Sequence, residues 1–313
     1  MKRSIKPLVS LIALGVSLAS AQAWATTIGF SQIGAESAWR TAETESVKAE
    51  AAKRGVTLKF SDAQQKQENQ IKAIRSFIAQ GVDGIILAPV VETGWERVLK
   101  EAKRAGIPVV LVDRGIKVKD ESLYLTKVAS DFVFEGRLAA AWLAQETHGQ
   151  ANVVELQGGP GAAPAIDRKK GFDEVSAMFP GMKLLSSQTG EWTRTKGKEV
   201  MEAFLKAHGD KIDAVYAHND DMALGAIQAI EEYGLDAGKD VLVVSIDGVK
   251  AAFQAMVDGD LNATVDCNPL LGPLAFNALE KAFKGQKVDK WVVTPDKINL
   301  QADAAEMIDS RKY

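Results

Sequence analysis

Residues 70–90 read QIKAIRSFIAQGVDGIILAPV and contain one complete unit of the fold. Ile71, Ile74 and Ile78 recur at the spacing of one helix face, and a glycine ends that run. The apolar run 84–88 that follows has the length and composition of a buried strand, with a proline behind it. A helix, a glycine and an apolar strand in this order are typical of a β/α repeat.

The same order recurs on both sides of this unit. The predicted strands are 27–30, 56–60, 84–88, 107–112, 152–156, 183–187, 214–216, 241–246 and 263–265. The predicted helices are 38–54, 70–80, 92–105, 132–147, 167–178, 195–207, 221–233 and 250–258. Right-handed βαβ winding turns such a series into parallel sheets with helices on both faces. Since the series restarts near residue 132, we predict two α/β lobes of similar construction.

The first 25 residues have the composition of a secretory signal peptide. Lys2, Arg3 and Lys6 precede an apolar run at 8–19, which is shorter than the roughly 20 residues that a bilayer-spanning helix requires. The tripeptide AWA at 23–25 fits the A-x-A pattern of a cleavage site. No later segment is apolar for long enough to span a membrane. We therefore expect a periplasmic protein that begins near residue 26 after cleavage.

Charge and cysteine content exclude several classes of function. The full chain has a formal charge of −3, and loss of the three basic residues of the leader makes it −6. Nucleic acid is therefore not an expected partner. Cys267 is the only cysteine, which excludes an intramolecular disulfide and a cysteine-rich zinc site. The three histidines lack metal-ligand spacing, so we expect neither a metal nor a cofactor. We also expect the protein to be a monomer.

Polar residues cluster at the exits of the predicted strands, where ligands bind in parallel α/β sheets. Carboxylates, guanidinium groups and amides in such a set match neighbouring hydroxyls of a ligand, and flat aromatic faces suit the C–H side of a sugar ring. Each residue also has an ordinary structural explanation. Asp113 and Arg114 could form a surface ion pair, Asn219 and Asp247 could cap helices or form turns, and tryptophans often only pack.

Several stretches resemble the periplasmic sugar-binding proteins of the ribose-binding type, and among them the members that bind galactofuranose. They are IGFSQIGAESAWR at 28–40, the stretch 64–90, VVLVDRGI at 109–116, AIDRKKGF at 165–172, YAHNDDMALGAIQAI at 216–230 and SIDGV at 245–249. The resemblance covers nearly all of the mature chain. It implies a type I periplasmic binding protein fold, with two doubly wound parallel-sheet lobes joined by a three-strand hinge.

The resemblance also implies boundaries for the lobes and for the hinge. The N-terminal lobe comprises residues 26–129 and 268–298, and the C-terminal lobe comprises 130–267 and 299–313. The crossovers lie near 128–131, 266–269 and 297–300. Closure about this hinge would trap a ligand between the lobes.

The family's binding positions carry over to this sequence residue by residue. The implied ligand-binding residues are Glu36, Ser37, Trp39, Arg40, Asp113, Arg114, Arg168, Trp192, Asn219, Asp247 and Asn268. We expect Arg168 to lie in the loop after strand 152–156. Where ribose-type members have a glutamine in the last crossover, this chain reads VDCNP, so Cys267 or Asn268 occupies that region. This departure argues against ribose itself.

The resemblance implies a solute-binding component of an ABC-type sugar importer, with a membrane permease and its ATPase as partners and no catalytic residue. A lactose-repressor type regulator would need an N-terminal helix-turn-helix headpiece in place of the predicted signal peptide. A glycoside hydrolase could use paired carboxylates, but arginine neighbours are expected to lower the pKa of Asp113 and Asp247, which suits hydrogen bonding better than proton donation. A sugar sensor that serves a chemoreceptor or a sensor kinase stays an alternative. The glycine-rich stretch QGGPGAA lacks a P-loop ending and is predicted to be a flexible loop.

Overall fold

The computed structural model describes residues 26–313, and the predicted signal peptide lies outside the described residues. Two six-stranded sheets form its framework, and helices cover them. In the described part of the chain, no helix is both long and apolar enough to cross a membrane.

The first sheet is built mainly from the first 100 described residues. Its strands follow the order β11-β5-β4-β3-β1-β2, and every pair is parallel. The elements are β1 Thr27–Gln32, α1 Ala38–Lys53, β2 Thr57–Asp62, α2 Gln67–Ala79, β3 Gly84–Leu87, α3 Glu96–Arg104, β4 Val109–Val112 and β5 Thr126–Ala129. Helix α9 Gly272–Phe283 and strand β11 Trp291–Val293 return to it late in the chain. We call this sheet with α1–α3 and α9 the first lobe.

The second sheet repeats the arrangement in the order β12-β10-β9-β8-β6-β7. The elements are α4 Phe132–Glu146, β6 Gln150–Gln157, α5 Ala163–Ser176, β7 Gly181–Thr189, α6 Arg194–His208, β8 Ala214–Ala217, α7 Asp220–Tyr233, β9 Leu242–Asp247, α8 Lys250–Asp258 and β10 Ala263–Asp266. Strand β12 Ile298–Leu300 and helix α10 Ala304–Met307 complete it. We call this sheet with α4–α8 and α10 the second lobe.

The chain passes between the two sheets three times, through residues 130–131, 267–271 and 294–297. The third crossing lies before the predicted one, and Ile298 already pairs with β10. The predicted fold of two parallel-sheet lobes is confirmed, and the unpredicted strand β12 is an exception that runs antiparallel to β10. Strand β10 leaves its sheet at the hinge, whereas β12 enters there from the other lobe, so the two run in opposite directions.

Packed apolar cores hold each lobe together. Strands β3 and β4 are buried on both faces, between a cluster that includes α1 and α9 and another that includes α2 and α3. Gly29 of β1 lets α2 approach the sheet, because a Cβ at this position would lie 2.5 Å from the ring of Phe77. Such close packing fixes the positions of the strand ends from which the polar residues project.

Candidate functional site

A small cavity lies between the lobes at the carboxyl ends of both sheets. The lining residues come from both lobes and from the second crossing. They are Glu36, Ser37, Trp39, Arg40, Asp113, Arg114, Pro164, Arg168, Trp192, Asn219, Asp247 and Cys267.

Ten of the eleven residues predicted from the sequence line this cavity. Asn268 does not line it, because its side chain turns back and accepts a hydrogen bond from the Leu270 amide at 2.9 Å. Cys267, the other candidate in that crossing, takes the position. Pro164 was not predicted, since nothing distinguished it from an ordinary helix-start proline.

Three lining residues adopt backbone conformations that L-amino acids rarely take. Asp113 has φ 61°, Trp192 has φ 69° and Asp247 has φ 134°. Each such residue costs about 1–3 kcal/mol and persists only where the surroundings impose it. All three end a strand or follow one closely, so the strained turns belong to the segments that present these side chains to the cavity.

Arg40 is the centre of the first lobe's side of the cavity. Its Nε lies 3.1 Å from Glu36 Oε1, its Nη2 donates to Asp113 Oδ2 at 2.6 Å, and its Nη1 donates to Glu43. The guanidinium is 4% exposed, so these bonds are shielded from water. Burial lowers the pKa of Arg40, but the three carboxylates outweigh it and hold that pKa well above its ordinary value.

Glu43 supports this cluster from behind the cavity. Gln32 donates to its Oε2 at 2.9 Å, and the residue is fully buried in α1. Burial raises the pKa of Glu43 to about 7, although Arg40 opposes that shift. Sequence reasoning missed Glu43, since it reads as one of many polar residues on an amphipathic helix.

Two buried polar atoms of cavity-lining residues have no hydrogen-bond partner among the described residues, Glu36 Oε2 and Arg114 Nε. Arg114 Nε lies 3.4 Å from Asp113 Oδ2 without hydrogen-bond geometry, while its Nη1 donates to the Val90 carbonyl at 3.0 Å. Burial and then the like charge of Arg40 lower the pKa of Arg114 to about 10. A ligand hydroxyl could pair with either atom, since a hydroxyl both donates and accepts.

Arg168 is the corresponding centre in the second lobe. It lies in α5 and not in a loop as predicted, because that helix begins at Ala163, four residues earlier than expected. Its Nε donates to Glu135 Oε2 at 2.7 Å, and its Nη1 donates to the His218 carbonyl. Gly136 permits this approach of α4 to α5, since a Cβ there would lie 2.1 Å from the carbonyl oxygen of Arg168.

Asp247 ends β9, and its carboxylate lies 3.6 Å from Nη2 of Arg168. Among the described residues, no hydrogen bond to this carboxylate is found. Burial raises the pKa of Asp247 well above its usual value even though Arg168 opposes the shift. The expectation that arginine would lower this pKa was therefore wrong, because desolvation outweighs a single ion pair at 3.6 Å. The group needs hydrogen-bond donors, which a ligand can provide.

The two tryptophans are buried and packed against arginines. Trp39 donates from Nε1 to the Cys267 carbonyl at 2.5 Å, and the guanidinium of Arg40 lies 4.8 Å from its ring centre. Arg114, from the other lobe, lies 5.2 Å from the ring centre of Trp192. Neither ring is an isolated packing residue.

The glycine-rich stretch at 157–163 makes room for Trp192. A Cβ at Gly158 would lie 2.0 Å from the indole ring. The pattern had predicted only a flexible loop, whereas the two consecutive glycines allow the backbone to pass directly beside the ring.

Asn219 combines its two candidate roles. Its Oδ1 accepts from the Met222 amide at 3.0 Å and so caps α7, and its Nδ2 donates to the Trp192 carbonyl at 3.2 Å. The capping explanation was therefore correct, and the residue lines the cavity as well. Capping fixes the side chain and leaves one amide hydrogen for another acceptor.

A polar cluster joins the three crossings of the hinge. Ser130 of the first crossing contacts Cys267 of the second at 3.7 Å and Thr294 of the third at 2.9 Å. It also donates to Asp296 Oδ1 at 2.8 Å. The described residues contain no group of histidine, cysteine and acidic side chains arranged to hold a metal ion.

The hinge gives a prediction on pH dependence. Burial, and next the charge of Glu135, raise the pKa of Asp296 to about 7. The folded protein therefore binds more protons at Asp296 than the unfolded chain does between about pH 4 and pH 7. This group stabilises the fold at low pH, and its contribution is lost as the pH rises through 7.

We expect the free energy of unfolding to fall more steeply with rising pH in the wild type than in Asp296→Asn. Urea denaturation at about pH 5 and about pH 8 measures both slopes. Equal slopes in the two proteins would show that Asp296 titrates as an ordinary carboxyl group.

Comparisons with known proteins agree with this geometry. Residues 28–287 match the periplasmic binding protein domain. A galactofuranose-binding protein of Escherichia coli K12 is 55% identical over 98% of both chains, and a ribose import binding protein of Bacillus subtilis is 36% identical over 88% of this chain and 87% of its own.

Solved structures show the same similarity. The binding component of the arabinose ABC transporter of Shewanella sp. ANA-3, bound to α- and β-L-arabinofuranose, is 60% identical with a TM-score of 0.90, covering 92% of this chain and 96% of that one. The crystal structure of a galactofuranose-binding protein is 56% identical with the same TM-score, covering 92% and 98%. The two-lobed fold, the cleft and these matches together show that the chain belongs to the periplasmic binding protein family, a family of solute-binding proteins and not of enzymes.

Proposed function

We propose that this protein binds a monosaccharide in its five-membered ring form, of the galactofuranose or arabinofuranose type, and delivers it to an ABC-type importer. One observation carries the proposal. The cavity between the lobes is lined mainly by charged, amide and indole side chains, and two of its lining residues, Glu36 and Arg114, each have a buried polar atom without a hydrogen-bond partner among the described residues.

A sugar satisfies this lining because each hydroxyl both donates and accepts. Asp113 and Asp247 can accept from hydroxyls, Arg114 and Arg168 can donate to them, and the indoles offer flat faces for C–H groups. A hydrogen bond to a charged group contributes about 1.5–3 kcal/mol net, so four or five of them account for a micromolar complex even after ordering costs. An apolar or fully ionic ligand would leave some of these groups unpaired.

The relatives support the furanose form. Among the solved structures, the Shewanella protein holds arabinofuranose, and a protein of Mycobacterium smegmatis that is 50% identical over 92% of this chain holds β-D-fucofuranose, with a TM-score of 0.90.

Export and transport partners belong to the same proposal. Residues 1–25 would direct the chain through the inner membrane and be removed near Ala25. A closed, loaded protein would then dock on a membrane permease whose transport is driven by an ATPase. Closure makes the loaded form recognisable by shape.

Titration calorimetry of the mature protein tests the sugar. We expect D-galactose or L-arabinose to bind at about micromolar or tighter dissociation constants, and D-ribose to bind at least about tenfold more weakly. Absence of heat with every monosaccharide tested would reject the function.

A matched pair of isomers tests the ring form. 1,4-Anhydro-D-galactitol has a five-membered ring and 1,5-anhydro-D-galactitol has a six-membered ring, with the same atoms and no exchange between them. We expect the first to displace bound sugar and the second to fail at the same concentration. The opposite order would reject the furanose assignment and leave sugar binding intact.

A further inference from the structure

Helices α1 and α7 begin on opposite sides of the cleft, α1 in the first lobe and α7 in the second. Their N-cap residues, Ser37 and Asn219, both line the cavity. Each helix start carries partial positive charge from its unpaired amides. Closure of the cleft therefore brings two like partial charges together, and an anion between them would stabilise the closed arrangement.

Asp221 provides this anion. Helix α1 has no acidic residue in its own first turn, and the Oδ2 of Asp221 accepts from the Ala38 amide at 3.1 Å across the cleft. The other oxygen, Oδ1, accepts from Nη2 of Arg194 at 3.2 Å within the second lobe. Asp221 is 8% exposed and is not among the residues that line the cavity.

We propose that Asp221 is a positioning residue that stabilises the closed form of the protein. Its hydrogen bond connects the start of α1 to the second lobe, and its side chain does not contact the sugar. This inference rests on the proposed function. In an open form, Ala38 and Asp221 separate and both return to water, so their hydrogen bond favours the closed state alone. A contact of this kind shifts the open–closed equilibrium by the same amount whichever sugar lies in the cavity.

Among the described residues, and apart from the bonds made by the three crossings, one other direct hydrogen bond joins the lobes. Glu92 donates its amide to the Gly161 carbonyl at 3.0 Å, and no side chain takes part. Of these two bonds, only the one from the Ala38 amide to Asp221 can be removed by a side-chain substitution, and that substitution changes no residue of the cavity lining.

Calorimetry with D-galactose and with L-arabinose tests the proposal on Asp221→Ala. Since a charged hydrogen bond is lost only from the closed state, we expect the dissociation constant to rise about tenfold for both sugars. Stopped-flow tryptophan fluorescence is expected to place most of this change in the dissociation rate. Asp221→Asn keeps an acceptor oxygen and is expected to lose less affinity.

Arg194→Ala is the matched control. It removes the partner of Asp221 inside the second lobe but leaves the bond to Ala38, so we expect its affinity to stay within about threefold of the wild type. Thermal unfolding of the ligand-free variants checks that each one folds. Small-angle scattering with saturating sugar is expected to show a larger mean radius of gyration for Asp221→Ala than for the wild type.

Each outcome separates the two claims. If the wild type binds neither sugar, the proposed function fails. If the wild type binds and Asp221→Ala binds equally well, the closure role fails and sugar binding stands. Equal losses in Asp221→Ala and Arg194→Ala, or losses that differ more than about threefold between the two sugars, would also overturn the closure role.

Discussion

We expect Arg40→Ala to abolish measurable sugar binding and to lower the free energy of unfolding by about 3–5 kcal/mol, because it leaves buried carboxylates without their counter-ion. Glu36, Glu43 and Asp113 all bond to this one guanidinium. Glu43 is fully buried and can take up a proton when Arg40 is removed, since its pKa is already about 7. Asp113, however, loses the guanidinium that donates to its carboxylate and orients it. Urea denaturation and calorimetry measure the two effects.

Two further variants make this prediction specific. Arg40→Lys keeps the charge but offers no planar fork to three acceptors, so we expect partial recovery of stability and little recovery of binding. Arg54→Ala, at the other end of α1, removes a partly exposed arginine paired with Glu50 at 2.7 Å and is expected to bind sugar normally. Wild-type affinity in Arg40→Ala would contradict the assignment of the first lobe's side of the site.

We expect Asp247→Asn to weaken sugar binding by about 100-fold, which corresponds to the loss of one or two hydrogen bonds that a carboxylate accepts from hydroxyls. The variant keeps the shape of the side chain. Because burial already raises the pKa of Asp247, removal of the charge is not expected to destabilise the ligand-free protein. Calorimetry gives the affinity, and thermal unfolding without sugar gives the stability.

Asp258→Asn is the control for this variant, as an exposed aspartate in α8 of the same lobe. We expect its affinity to equal that of the wild type. An affinity of Asp247→Asn within about threefold of the wild type would show that this carboxylate does not contact the sugar.

The sequence predicts the β/α series well because glycine and apolar runs punctuate it. The elements it missed are β5, α9, β11, β12 and α10, and only some of them have a weak pattern. Strand β5 reads TKVA, with two polar residues in four, yet three of its residues are buried between neighbouring strands. Strand β12 gains its antiparallel direction from the path of the chain through the hinge, which local periodicity does not contain.

The location of the site follows from one physical rule, that parallel strands gather their exits at one edge of a sheet, whereas the individual residues came mainly from the resemblance to sugar-binding proteins. The supporting residues that the sequence did not reveal lie outside the cavity lining and bind the arginines that line it. Glu43 and Glu135 lie inside helices, where single acidic residues usually face solvent, and only tertiary packing turns them toward Arg40 and Arg168. Asp221 likewise acquires its role only when the lobes meet.

A crystal structure of the mature protein grown with D-galactose or L-arabinose would show whether a furanose binds between the lobes. We expect one five-membered sugar ring there, with hydroxyls within hydrogen-bond distance of Asp113, Arg168 and Asp247. A six-membered ring there would contradict the furanose assignment, and a sugar bound elsewhere, or none, would contradict the site itself.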